Sequence, residues 1–388
     1  MRPALQTWRA HFKLNRHIAP PQRKNLELFP RGVRTSTTTS RNASTPKRRG
    51  RTGILLVLAT SALGGAAYRS YGSSGSSGSK QSLNTTSFTP FTLISKEPVS
   101  STSSILTLQP QHGTLGNSIR DMWTIGVWSV QIKQPQLQIA RAYTPLPPAL
   151  TGPADASSAP LRLLVRKEYN GEVSGYLHRL SEGATVELRG PTLEYEIPQN
   201  VEEVLFLAGG TGIAPAMQVA HALAGRAKVH ILWATRKRED CIGGVSDTRP
   251  LPASGWLFAL KGMLGMQATA DIPKTETSVG DKGLIVQQLE AMKREAATVE
   301  HQLSIDYFVD EESRFIQPET VSALVGCLDG KARATDQQGK KLIFVSGPDG
   351  FVKYWAGPKQ WSGGREIQGP LGGMLSKLNL SGWEVVKL

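Results

Sequence analysis

The run Gly209-Gly-Thr-Gly212 lies between one apolar stretch, residues 204–208, and a second that opens at Ile-Ala-Pro215. That order predicts a buried strand, a glycine turn and a helix over 215–224. Backbone N–H groups at such a turn converge on one point, and the helix start adds partial positive charge. An anion such as a pyrophosphate suits that place. Glycine serves there because it accepts positive φ and lets a ligand approach the main chain. The spacing is not G-x-G-x-x-G, and a tight βα turn without a ligand is the competing reading.

Two upstream stretches carry complementary chemistry. Arg141-Ala-Tyr143-Thr144 ends a strand pattern. The guanidinium can grip a phosphate with two parallel hydrogen bonds, the phenol offers a flat face to a ring, and the threonine offers a hydroxyl to a ring nitrogen. About thirty residues on, Gly171-Glu-Val-Ser174 precedes a short helical pattern, 174–180. Ser174 is a suitable N-cap there, and the helix it opens has free N–H groups for a phosphate. Singly, each has a plainer reading: a surface ion pair, an ordinary strand tyrosine, a cap and nothing more. Their order along the chain, ahead of the glycine turn, is what favours a shared ligand.

The elements that must position these residues fall into two patterns. Residues 88–195 read as short strands at 91–96, 104–109, 123–132, 137–143, 161–167 and 185–189, broken by turns and by a Pro/Ala/Ser-rich loop at 145–160. This is the pattern of a small antiparallel barrel. After Ile197 strands alternate with helices: strand 204–208, helix 215–224, strand 228–234, helix 282–300, strand 305–309, helix 318–326 and strand 341–346. Such alternation predicts a parallel sheet covered by helices. Residues 246–280 fit neither pattern and read as an insertion loop, with 256–266 helical.

The net charge of +14 is concentrated at one end. Residues 1–52 hold thirteen Lys or Arg and one acid, Glu27, whereas the remainder has 32 cations against 30 acids. A general polyanion-binding surface on the folded part is therefore unsupported. The basic, Ser/Thr-rich, acid-poor start has the composition of a mitochondrial transit peptide, 1–52. An uncharged run, 53–68, follows between cationic flanks and predicts a single transmembrane anchor over 53–71. The stronger positive flank precedes it, which would leave the rest of the chain in the intermembrane space. The Gly/Ser repeat that comes next predicts a flexible linker, 72–86. Cys241 and Cys327 have no metal or disulfide spacing, and the scattered histidines, among them His178, His221 and His301, suggest no haem ligand.

The order R-x-Y-T, G-x-V-S, G-G-T-G-I-A-P and S-G-P, the last at Ser346-Gly347-Pro348, resembles the ferredoxin–NADP reductase superfamily, and within it the NADH–cytochrome b5 reductase branch, over roughly residues 88–388. The resemblance implies an antiparallel β-barrel that binds FAD, 87–197, followed by an α/β parallel-sheet domain for a nicotinamide nucleotide, 198–388. By position it implies that Arg141 binds the FAD pyrophosphate, that Tyr143 lies against the isoalloxazine, and that Thr144 bonds near its reactive edge. Val165 and Lys167 would flank the FAD ribose, and Val173 and Ser174 would contact the pyrophosphate. Gly210, Thr211 and Gly212 would hold the nicotinamide nucleotide, with Gly347 and Pro348 bordering its ring. Thr144, Thr211 and Ser346 are the residues expected at the reaction centre. Hydride transfer from NAD(P)H to FAD, then single-electron delivery to an acceptor, is the implied chemistry.

Two positions depart from the family pattern. Its Cys-Gly-Pro-Pro is Ser346-Gly347-Pro348-Asp349 in this chain, and a second glycine expected after Gly190-Pro191 is replaced by Thr192-Leu193-Glu194. The glycine-rich stretch 350–373 is longer than the branch needs. With the leader and the anchor, it resembles fungal mitochondrial flavoproteins of cytochrome c import, which implies haem as acceptor and haem lyase or apocytochrome c as partners. A subfamily loop of no special function is its plainer reading. For the nucleotide, Arg236 and Arg238 after strand 228–234 favour a 2′-phosphate, whereas Asp240 opposes one, so both NADH and NADPH stay open.

Overall fold

The computed structural model describes residues 83–148, 159–248, 282–297, 302–329 and 339–388. The expected leader at 1–52, the anchor at 53–71, most of the linker and the helix at 256–266 lie outside the described residues. The chain divides into two compact units, Met1–Gly75 and Ser76–Leu388, and the second holds every described element.

The first half of that unit is an antiparallel sheet of seven strands: β1 (Thr89–Pro98), β2 (Ser103–Pro110), β3 (Gly126–Gln134), β4 (Ile139–Tyr143), β5 (Pro145–Leu146), β6 (Leu161–Arg166) and β7 (Thr185–Glu196). They lie in the order β4-β3-β7-β1-β2-β6-β5. Alternate side chains turn inward, as the two-residue period of a strand requires. Phe91, Leu93, Trp128, Val130, Ile132, Leu163 and Val165 form one buried core with Leu106, Leu108, Val186 and Leu188. The ladder leaves β4 and β5 as its two ends, so among the described residues the expected barrel is an antiparallel sheet without a closing pair of strands.

Three expectations in this half need correction. Residues 123–132 are not all strand, because Trp123 belongs to a helix, α1 (Asn117–Ile125), and β3 starts at Gly126. Ile119, Met122 and Trp123 lie three and four residues apart, the helical spacing, and pack on the sheet core. The last strand does not stop at 189 but runs twelve residues to Glu196, pairing with β3 through register shifts around Trp128 and Ser129. The short helix is α2 (Glu172–Arg179), with Gly171 rather than Ser174 at the capping position.

The second half is a five-stranded parallel sheet. Its strands are β8 (Val201–Gly209), β9 (Lys228–Thr235), β10 (Leu303–Val309), β11 (Lys340–Ser346) and, last in the chain, β14 (Trp383–Lys387). Their order across the sheet is β10-β9-β8-β11-β14. The helices are α3 (Ile213–Ala222), α4 (Leu284–Ala296), α5 (Pro318–Asp329) and α6 (Asp349–Ala356). Both faces of the sheet are covered, which explains the unbroken apolar runs of its strands. Phe206, Ile231 and Phe344 face a core shared with α3 and α4, whereas Leu205, Leu207, Ile343 and Val345 face one shared with α5 and α6.

The stretch 350–373 is not a loose tail. It holds most of α6 and a hairpin, β12 (Gln360–Ser362) with β13 (Arg365–Ile367), and the chain then returns to the sheet as β14. The buried Lys387 ammonium donates to the Pro358 and Pro370 carbonyls, 3.1 and 2.8 Å away, and ties the base of that excursion. Among the described residues no helix is long and apolar enough to cross a membrane.

Candidate functional site

A cleft of about 460 Å³ opens where the two halves meet. Arg141, Ala142, Tyr143 and Thr144 line it at the end of β4, and Glu168, Gly171, Glu172, Val173 and Ser174 line it where α2 begins. Thr211, Gly212, Ala214 and Pro215 come from the glycine turn and the start of α3, and Ser346 and Gly347 from the end of β11. Nine of these residues are ones that the sequence motifs assign to a single site.

The glycine turn lies at the carboxyl ends of β8 and β11, which are neighbours in the sheet, with Ser346 paired to Ala208. Protein atoms, not only a ligand, explain its composition. A Cβ on Gly209 would come within 2.8 Å of the Phe351 ring, and one on Gly212 would overlap the Ser346 carbonyl. Gly210 and Gly347 have φ of +55° and +150°, and a Cβ on Gly347 would sit 2.8 Å from the Gly209 oxygen. The Trp233 indole N–H donates to the Gly210 carbonyl at 2.9 Å and fixes the turn from below.

At the start of α2 the first intrahelical bond runs from Gly175 N–H to the Gly171 carbonyl. The amides of Glu172, Val173 and Ser174 precede it and have no partner within the helix. Ser174 works differently from a cap. Its hydroxyl accepts a hydrogen bond from Glu168 N–H at 3.1 Å and lies 3.4 Å from the Gly171 carbonyl. It thereby holds the 168–171 turn that presents those amides. Arg141 projects from β4 into solvent beside the cleft, donating to the Ala140 carbonyl at 3.1 Å. The half-buried Tyr143 phenol is pushed up to about 12, chiefly by burial, with Arg141 opposing and Glu168 adding to the shift.

These features fit FAD. One rim offers a guanidinium and a helix start to a pyrophosphate, and a tyrosine face stands beside them for a ring. Glu168 and Glu172 add negative charge on the same rim, so the amides and Arg141 must outweigh them.

Four expected residues are not part of the cleft lining. Val165 is fully buried in the sheet core, and its carbonyl meets His178 Nε2 at 3.1 Å. Lys167 is exposed past the end of β6, its N–H bonded to the Thr102 carbonyl. On β6 the side chains that reach the cleft are Leu164 and Arg166, one position out of phase with that expectation. Gly210 lies behind the cleft, facing Arg166, and Pro348 holds the capping position just before α6.

Arg166 is the residue that sequence reasoning missed. Its Nη2 lies 2.5 Å from the Asp240 carboxylate, and its Nε lies 3.4 Å from the Ser103 hydroxyl. The two-residue alternation of 161–166 was the available signal, since it turns Arg162, Leu164 and Arg166 away from the antiparallel sheet's own core. Asp240 is therefore tied to Arg166 rather than free to meet a ribose. Among the described residues no group of His, Cys, Asp and Glu is arranged to hold a metal ion.

Comparison with known proteins bears on this cleft. Residues 90–197 match the family described as oxidoreductase FAD-binding domain. The cytochrome c mitochondrial import factor CYC2 of Saccharomyces cerevisiae is 34% identical over 118 residues, covering 28% of this chain and 32% of the yeast protein. NADH-cytochrome b5 reductase 2 of Kluyveromyces lactis is 24% identical over 254 residues, covering 64% of this chain and 67% of that protein. The cytochrome b5 reductase domain of Ulva prolifera nitrate reductase superposes with a TM-score of 0.44 at 20% identity, covering 70% of this chain and 91% of that structure. The match thus spans about a third of the import factor's length and about two thirds of the yeast reductase.

Proposed function

We propose, from the premise that residues 90–197 are an FAD-binding oxidoreductase domain of the ferredoxin reductase and cytochrome b5 reductase family, that this chain is an FAD-dependent NAD(P)H reductase. The observation that carries the proposal is the single cleft shared by Arg141, Tyr143, Thr144 and Ser174 on one wall and Thr211, Gly212, Ser346 and Gly347 on the other. Bound FAD supplies hydride acceptance and one-electron release. The chain supplies the rest. Arg141 and the amides of residues 172–174 hold the pyrophosphate, and Tyr143 and Thr144 orient the ring system. Thr211, Gly212 and Gly347 would leave room for a nicotinamide at the sheet end, where Thr211 and Ser346 bring hydroxyls to the lining.

The acceptor in this proposal is haem iron, in support of haem attachment to cytochrome c. The relative named as a cytochrome c mitochondrial import factor supports it, as does the basic, acid-poor stretch 1–52 followed by the uncharged run 53–68. On this reading residues 1–52 are a mitochondrial leader, 53–71 a single inner-membrane anchor and 72–86 a linker. The 87–197 and 198–388 domains then work in the intermembrane space beside haem lyase or apocytochrome c.

The test is anaerobic mixing of the purified yellow protein with NADH or NADPH, followed by ferric haem. Bleaching of the flavin's visible absorbance, then its return as haem iron is reduced, is the expected result. A flavin that neither nucleotide bleaches would reject the reductase and favour a non-catalytic assembly factor. Bleaching without haem reduction would retain the reductase and reject the acceptor.

A further inference from the structure

Within the basic run after β9, Arg238 is neutralised from the next strand. β9 and β10 are parallel neighbours in register, Thr235 beside Val309, so the turns that leave them lie side by side. One turn carries Arg236, Lys237 and Arg238, and the other is Asp310–Glu312. Arg238 is gripped at both ends of its fork: Nε to Glu312 Oε1 and Nη2 to Glu312 Oε2, each at 2.6 Å. Its third nitrogen, Nη1, lies 3.4 Å from the Gly244 carbonyl and 3.5 Å from Cys241 Sγ. Its main-chain N–H donates to Glu311 Oε1 at 2.5 Å. Lys237 pairs with Glu239 of its own turn at 3.2 Å, and burial raises the Asp310 carboxyl, with Arg236 opposing that shift. The hydrogen bonds from Arg238 hold the Glu312 carboxyl below the usual carboxylate range.

The second strand of a dinucleotide-binding sheet is where the adenosine ribose is read, by an acid on the 2′-hydroxyl or an arginine on a 2′-phosphate. A bidentate carboxylate on a guanidinium has the geometry that a phosphate would need for itself. We propose that Glu312 masks Arg238 against the 2′-phosphate of NADPH and so sets the chain's preference for NADH. This deepens the reductase reading and rests on it. A 2′-phosphate adds up to about two negative charges. It would have to displace Glu312 and would then stand among Asp310, Glu311 and the displaced carboxylate. A 2′-hydroxyl meets no such penalty.

The test measures binding to the full chain of NAD+ and NADP+, and of 5′-AMP and 2′,5′-ADP, two probes that differ only by the 2′-phosphate. The expected wild-type order is NAD+ tighter than NADP+. Glu312→Gln should shift the NADP+ to NAD+ affinity ratio toward NADP+ by about ten-fold or more, the scale of a charge-assisted hydrogen bond set free. The 2′,5′-ADP to 5′-AMP ratio should move with it, and adding Arg238→Met should remove the gain. Glu311→Gln, which leaves the fork intact, should move the ratios much less. An unchanged ratio in Glu312→Gln while NAD+ still binds would overturn the masking and leave the reductase reading standing. A wild type that already favours NADP+, or an equal gain in Glu311→Gln, would overturn it as well. Failure of the wild type to bind either nucleotide would reject the reductase reading, and this inference with it.

Discussion

Arg166 Nη2 and the Asp240 carboxylate stand 2.5 Å apart and join the antiparallel sheet to the parallel one. Arg166 ends β6, and Asp240 lies in the turn after β9; their side chains are 15% and 8% exposed. One residue away, Ser101 N–H and hydroxyl both donate to the Glu239 carboxylate, at 3.0 and 2.6 Å. On the far side of the junction the buried Gln218 on α3 accepts from Trp128 N–H and donates to the Pro145 carbonyl, both at 2.9 Å. The two halves are thus pinned on either side of the cleft, and its width is set by polar contacts of defined length.

Asp240→Asn removes one charge of that pair and leaves a largely buried guanidinium without its counterion. Breaking such a pair typically costs about 3 kcal/mol. The expected outcome is a destabilisation of that order in urea unfolding. A loss under about 1 kcal/mol would mean that water screens the pair and that the junction rests on Gln218 instead.

Arg141→Ala should strip the flavin. A forked, charge-assisted contact to phosphate contributes about 1.5–3 kcal/mol. The purified variant should then show roughly ten-fold or greater loss of FAD affinity, read as the ratio of flavin to protein absorbance during dilution. Because Arg141 is exposed and its guanidinium bonds to its own neighbour's carbonyl, the variant should keep its unfolding midpoint when both proteins are compared without FAD. Full flavin loading at dilution would remove Arg141 from the site.

Two half-buried tyrosines predict an alkaline limit to stability. Burial raises Tyr143 and Tyr195 from 10.0 to about 12, each with a further push from a glutamate, Glu168 and Glu384 respectively. The unfolded chain ionises near 10, whereas the folded one resists until about 12. Stability from this source is intact below about pH 10 and falls as pH rises through the window between about 10 and 12. The urea midpoint should therefore drop across that window, and Tyr143→Phe with Tyr195→Phe should flatten the drop. A midpoint with the same slope in the double variant would assign the alkaline loss to other groups.

Sequence pattern anticipated most of the cleft lining but not its phase on one strand. The alternation of β and α segments after Ile197 placed the glycine turn at the end of a strand, and the ends of β8 and β11 brought Thr211, Gly212, Ser346 and Gly347 together. Positions on β6 were harder. Val165 and Lys167 were expected at the cleft, but alternation turns Val165 into the core and Arg166 outward, and a run reading Leu-Arg-Leu-Leu-Val-Arg has an apolar residue on both faces at 164–165. Ser174 looked like a cap because serine before a helix usually is one. Here the helix starts two residues earlier, and the hydroxyl instead braces Glu168. The Arg238–Glu312 contact joins residues 74 positions apart, so no local pattern could announce it.

Ser346 is one of two positions where the chain departs from the motif that its sequence resembles, and its replacement tests how closely the cleft is tuned. The residue ends β11, is only 6% exposed, and shares the cleft lining with Thr211 and Gly212. Its carbonyl packs under Gly212, so the main chain at 346 is fixed, and a substitution acts through the side chain alone. Ser346→Cys puts a larger, more polarisable sulfur where the hydroxyl was. A swap this conservative in volume changes a packed contact by less than about 1.5 kcal/mol, which bounds the effect on rate at roughly ten-fold. The expected outcome is a faster flavin reduction by NADH within that bound, because the thiol fills more of the space against which a nicotinamide ring would seat. Flavin content should not change, since Arg141 and the 172–174 amides lie on the opposite wall. Stopped-flow reduction at several NADH concentrations separates the limiting rate from nucleotide affinity. A slower limiting rate at equal FAD content would show that the serine hydroxyl suits this chain better than a thiol.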